Sequence, residues 1–72
     1  MAAAFECGIG LVDEFDEARG LGTIRSDDGG ELPFHCTAIA DGSRTVEPGR
    51  RVQFTVVPGL LGRWEAARIE KL

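Results

Sequence analysis

The sequence predicts an all-β domain of five short strands closed into a small barrel, and three observations carry that prediction. Apolar and polar residues alternate with a period of two, most cleanly where Val52, Phe54 and Val56 interleave with Arg51, Gln53 and Thr55, which is the pattern of a strand with one buried face. Ten glycines and three prolines punctuate 72 residues, the density expected of short strands joined by tight turns. Apolar residues make up 43% of the chain, enough for one modest core and too few for helical layers around a sheet.

The elements follow in order. Residues 8–15 predict a first strand built on Ile9, Leu11, Val12 and Phe15, and the polar stretch 16–19 a hairpin turn. Residues 20–25 predict a second strand with Gly22 and Ile24 on one face and Leu21, Thr23 and Arg25 on the other. Ser26-Asp27-Asp28-Gly29-Gly30 is a strong turn, because Asp-Gly and Gly-Gly accept positive φ. Residues 31–36 predict a third strand, in which Pro33 must occupy a place where the ladder needs no donor. Residues 37–40 suit one helical turn, Glu47-Pro48-Gly49 another turn, and residues 51–57 a fourth strand. Leu60 and Leu61 then lie in a loop bracketed by Pro58-Gly59 and Gly62. Residues 63–70 predict a fifth strand, although Ala66 and Ala67 also suit a helix.

Five strands must close on themselves or leave edges exposed. An antiparallel Greek-key barrel of the OB type satisfies this at such a length, and an SH3-like barrel fits the pattern as an alternative. One domain over residues 8–72 is expected, with residues 1–7 as a lead-in. A large enzyme fold is excluded by size. No nucleophile–base pair, phosphate loop or metal-ligand spacing is present, so the sequence predicts a binding protein with no catalytic residues, no cofactor and no small-molecule substrate.

Net charge is −4, and its distribution is uneven. Residues 1–36 hold eight acids and two bases, whereas residues 37–72 hold four acids and six bases. An acidic first half repels phosphate and argues against strong nucleic-acid binding, because such binding draws on released counterions. The acids Asp13, Glu14, Asp16 and Glu17 read as a solvated hairpin, not as a catalytic pair. The Asp27–Gly30 turn lacks the alternating ligands of an EF-hand. Cys7 and Cys36 lack C-x-x-C spacing and read as two reduced thiols. No apolar run approaches the roughly 20 residues of a membrane span, and the start of the chain lacks a basic n-region and an apolar h-region. A cytoplasmic protein without membrane contact is the expectation.

The order of landmarks resembles the cold-shock domain family. Gly10-Leu11-Val12-Asp13-Glu14-Phe15-Asp16 resembles its first strand, Gly-Thr-Val-Lys-Trp-Phe-Asn. Arg19-Gly20-Leu21-Gly22-Thr23-Ile24 resembles its first ribonucleoprotein (RNP) motif, Lys-Gly-Phe-Gly-Phe-Ile. Leu32-Pro33-Phe34-His35-Cys36-Thr37-Ala38-Ile39 resembles the second, Leu-Phe-Val-His-Phe-Ser-Ala-Ile. Val46-Glu47-Pro48-Gly49, Val52-Gln53-Phe54 and Glu65-Ala66-Ala67-Arg68-Ile69 are similar to its later landmarks. The resemblance implies an OB barrel that binds single-stranded RNA or DNA by stacking bases on an aromatic platform.

The departures matter as much. Glu14 stands where the family has tryptophan and Asp13 where it has lysine. Leu21, Thr23, Pro33 and Cys36 stand where it has phenylalanines, and Ser43 where an aromatic often lies. The positions carried over as nucleic-acid-binding are Phe15, Arg19, Leu21, Thr23, Phe34, His35 and Cys36, and a cluster of Phe15, Phe34 and His35 with an arginine on the outer face would favour binding there. In a strand, His35 and Cys36 are expected on opposite faces.

Arg19 and Arg25 flank the second strand, but Arg19 is expected to pair with hairpin acids. Arg44, Arg63 and Arg68 would form a displaced phosphate track only if they converge. Leu60, Leu61 and Trp64 read either as a protein-contact anchor or, for Trp64, as the closing side chain of the barrel. Leu21, Ile9 and Leu11 share an outward parity. Two readings therefore stand: a weakened, salt-sensitive single-strand binder, and a protein-interaction or homodimerisation module on the same barrel.

Overall fold

The computed structural model describes residues 6–59 and 62–72. Five strands form one antiparallel sheet in the order β3-β2-β1-β4-β5: β1 Glu6–Asp16, β2 Leu21–Ser26, β3 Glu31–His35, β4 Arg51–Pro58 and β5 Trp64–Lys71. A 3₁₀ turn, Cys36–Ala38, follows β3. The region that also suits a helix is thus a strand. It pairs with β4 from Pro58↔Trp64 to Val52↔Lys71, and Ala66 is buried. Burial of one face against the core outweighs the helical propensity of two alanines.

The sheet coils until β3 touches β5. One parallel bridge, Ile39↔Ile69, spans the gap, and the Ala40 N–H donates to the Ile69 carbonyl at 2.8 Å. The core fills the inside of this curve: Val12, Ile24, Phe34, Ile39, Val46, Val52, Phe54, Ala66 and Ile69. Each large aliphatic or aromatic side chain so buried contributes about 1.5–3 kcal/mol. Val52 and Phe54 lie on the inner face of β4 as the alternation predicts.

Two irregularities give the sheet its curvature. In β1 the register with β2 shifts between Val12 and Glu14, leaving Asp13 as the extra residue. In β5 the register with β4 shifts between Gln53 and Thr55, and Arg68 there adopts φ 50°. Such bulges bend a strand and increase its twist. Gly10 serves the same end by close approach, because a Cβ there would collide with the Arg25 carbonyl and lie 2.9 Å from Ser26 Cα. Pro33 sits on the edge strand β3, where a missing ladder donor is tolerated.

Candidate nucleic-acid interface

The register of the first three strands sets two rows on the outer face. Glu14 faces Thr23, which faces Pro33, and Asp16 faces Leu21, which faces His35. Between them runs Phe15–Gly22–Phe34 with the opposite parity. All members of the outer rows are exposed or half-exposed. Leu21 is 46% exposed.

The middle row corrects the expected aromatic platform. Phe34 is 2% exposed and belongs to the core. Phe15 is half-buried and packs on it, with ring centroids 5.8 Å apart and planes 4° from parallel. Neither stands beside His35 on the outer face. Phe34 neighbours His35 in an unshifted strand and so faces the other way; for Phe15 the cause is the β1 bulge. Alternation counted from Ile9 and Leu11 turns Phe15 outward, but the extra residue Asp13 reverses the parity. Gly22 admits the Phe34 ring, since a Cβ there would lie 2.6 Å from Phe34 Cζ.

A second correction concerns Cys36. The third strand ends at His35, and Cys36 opens the 3₁₀ turn. Its N–H donates to the Gly20 carbonyl at 2.8 Å, across from a glycine at φ 69° where a Cβ would lie 2.9 Å from the Cys36 sulfur. Leaving the strand brings Cys36 Sγ to 3.8 Å from His35 Nδ1, so the two side chains are neighbours. Both cysteines are free, with Cys7 exposed.

His35 is held by its own turn. The Thr37 N–H donates to Nδ1 at 3.3 Å, and Thr37 Oγ1 lies 3.0 Å from the same nitrogen. An Nδ1 that accepts a backbone N–H places the ring proton of the neutral form on Nε2. Nε2 has no protein partner among the described residues, so it is a free donor on the outer face.

Beside this face lies a cleft of about 400 Å³. Glu14, Asp16, Arg19, Leu21, Thr23 and Pro33 line it, together with the half-buried Phe15 and Gly22 and the buried Phe34. The expected pairing of Arg19 with hairpin acids is not what forms. Asp16 Oδ1 accepts the Arg19 backbone N–H at 3.2 Å, and the ion pairs among the described residues lie elsewhere: Arg25–Glu31, Arg51–Asp27 and Lys71–Asp41. Arg19 therefore keeps its guanidinium available in the cleft, whereas Arg25 is engaged at 3.2 Å. Glu14, Asp16, Gly22 and Pro33 are cleft residues that the carry-over from sequence motifs missed. The unshifted pairing of β2 with β3 places Gly22 and Pro33 there, and the β1 bulge brings in Glu14 and Asp16.

The remaining candidates divide. Ile9, Leu11 and Leu21 are exposed, but Leu11 pairs with Arg25 while Leu21 pairs with Asp16 and His35. Arg25 and the Glu14–Thr23 pair thus separate them, and no continuous apolar surface forms. Trp64 is 55% exposed, so it does not close the barrel. Leu60 and Leu61 lie outside the described residues. Arg44, Arg63 and Arg68 are exposed. Asp41 is held at about 2, below the ordinary 3.8, by the Ser43 N–H, the Ser43 hydroxyl and Lys71. No helix among the described residues is long and apolar enough to cross a membrane.

Comparison with known proteins agrees with this geometry. The family model described as "'Cold-shock' DNA-binding domain" matches residues 9–72. Cold shock-like protein CspC of Bacillus cereus is 38% identical over 64 residues, covering 88% of this chain and 97% of that protein. Cold shock-like protein CspA of Stigmatella aurantiaca is 46% identical over 55 residues, covering 74% of this chain and 81% of that one. Among solved structures, drosophila Unr CSD456 superposes with a TM-score of 0.76 at 31% identity over 93% of this chain, which spans 27% of that longer chain. The all-β sheet, the order of its motifs and these matches lead to one conclusion: the chain belongs to the cold-shock domain family.

Proposed function

We propose that this protein binds single-stranded RNA or DNA on the outer face of β1–β3, on a Greek-key barrel of the OB type. The observation that carries this reading is the open face around His35. Thr37 holds the ring, Nε2 is an unpartnered donor among the described residues, and Arg19 stands free in the adjoining cleft. A base stacked on the imidazole and a phosphate against the guanidinium use both groups.

Affinity is low on this reading. Base–aromatic stacking is worth about 1–3 kcal/mol per base, and Glu14, Leu21, Thr23, Pro33 and Cys36 lack a π-face. Carboxylates at Asp13, Glu14 and Asp16 add repulsion toward the backbone. The protein works as a cytoplasmic binder with residues 8–72 as its binding unit, and without catalysis.

Fluorescence anisotropy with labelled oligo-dT, oligo-U and a mixed RNA, over a salt series, tests this. Micromolar binding that weakens with salt and drops in His35→Ala is expected. Absence of binding to all three at low salt refutes it.

A further inference from the structure

We propose that Glu14 makes this surface selective for guanine, by accepting hydrogen bonds from the Watson–Crick edge of an unpaired guanine in the cleft beside β1. The proposal rests on the single-strand reading above and names the base class that this site favours.

Five observations converge on it. Glu14 lies on the outer row with Thr23 and Pro33, at the β1 end of that row and at the wall of the cleft. Its carboxylate has no hydrogen-bond or ion-pair partner among the described residues, unlike Asp16, whose Oδ1 accepts the Arg19 N–H at 3.2 Å. Leu21 and Pro33 supply an apolar seat for a base without a π-face. The cleft volume, about 400 Å³, accommodates a purine. Arg19 lines the same cleft, a cation placed to offset the charge of an incoming phosphate.

Base chemistry then chooses among the four. An ionised carboxylate only accepts, and it accepts best from two adjacent donors. Guanine offers N1–H and the N2 amino group side by side. Adenine and cytosine offer one amino group beside a ring-nitrogen acceptor. Thymine and uracil offer one N3–H between two carbonyl oxygens, which repel the carboxylate. Recognition of splayed bases by these edges is the usual mode for single strands. Bidentate readout of one base is commonly worth about tenfold or more in discrimination.

The test is competition among short strands bound to the full chain at low salt. An all-thymine oligonucleotide is compared with the same strand carrying a single guanine, and with hypoxanthine in that place, which lacks the N2 amino group. The guanine strand is expected to bind about tenfold tighter than the thymine strand, with hypoxanthine between. Glu14→Gln is exposed and isosteric, and a thermal melt checks its fold. It should erase the preference while leaving the thymine strand bound at least as well. Equal affinity for the guanine and thymine strands overturns the proposal and leaves single-strand binding intact. So does a Glu14→Gln gain of the same factor for every strand, because Glu14 then only repels phosphate. If no strand binds, the nucleic-acid reading itself has failed, and this inference with it.

Discussion

Replacing Leu21 with phenylalanine should raise single-strand affinity without touching the electrostatics. Leu21 is 46% exposed and sits between Asp16 and His35 on the outer face. A phenyl ring there gives β2 a π-face next to the imidazole. One stacked base is worth about 1–3 kcal/mol, a factor of roughly 5–150 in Kd. The Asp16 carboxylate directly across the strand pair opposes the approach of the sugar-phosphate, so the lower half of that range applies, about tenfold. The site is exposed, so folding stability should change by less than about 0.5 kcal/mol. Anisotropy titrations with labelled oligo-dT across several salt concentrations provide the readout. The curve of log K against log salt should shift upward with its slope unchanged, because no phosphate contact is added. A change within twofold at every salt concentration, in a protein that still folds, would refute the idea that Leu21 faces a bound base. A gain accompanied by a steeper slope would refute the stacking mechanism.

Three further predictions concern the scaffold. Arg68 occupies φ 50° in the β5 bulge, a conformation that costs a residue with a Cβ about 1–2 kcal/mol and that asparagine tolerates better. Arg68→Asn should therefore stabilise by about 0.5–1 kcal/mol, read as a higher urea midpoint, and a lower midpoint would contradict the strain. Gly10→Ala drives a methyl group into the Arg25 carbonyl. It should cost about 2–3 kcal/mol, seen as a reduced midpoint at unchanged m-value. Asp41 titrates at about 2 in the fold instead of 3.8, so its contribution to stability is present above 3.8 and fades as pH falls toward 2. The gap in urea midpoint between the parent and Asp41→Asn should be open at neutral pH and close over that window. A gap that persists below it would show that the carboxylate charge is not what matters.

The strands were legible because alternation and turn chemistry agree. Val52, Phe54 and their polar neighbours define β4, and Asp28-Gly29-Gly30 defines the turn before β3. The shared parity of Leu21, Thr23 and Arg25 survives intact in β2. The fate of Phe15 was not legible. Its place depends on one unpaired residue in β1, and alternation has no signal for a bulge. Phe34 instead shares the inward parity of Gly22 and Ile24 through an unshifted register. Phe34 is large enough to serve as either platform or core, and the space left by Gly22 decides for core. Cys36 was misplaced for a similar reason. The strand stops one residue early because the reciprocal ladder bond is missing: the Gly20 N–H donates to the Asp16 carbonyl, and the Cys36 carbonyl accepts the Ile39 N–H of the 3₁₀ turn. The freedom of Arg19 depends likewise on geometry. Four nearby acids suggested a partner, but Asp16 spends an oxygen on the backbone instead.

The β1 bulge also determines which kinds of mutational change this strand can absorb. Asp13 is exposed, so exchange of its side chain perturbs little beyond local charge. Its presence as a residue is another matter, since it separates two reading frames of one strand. Upstream of it, even positions such as Gly10 and Val12 face the core. Downstream, an odd position, Phe15, does so. Deleting Asp13 would merge the two frames without turning any side chain over: Glu14 would follow Val12 and stay outward opposite Thr23, and Phe15 would stay inward opposite Gly22. What the deletion removes is the bend and extra twist that a bulge gives its strand. Sequence drift at Asp13 is therefore permissive in identity, and loss of the residue would alter the curvature of the sheet and not which side chains face the core.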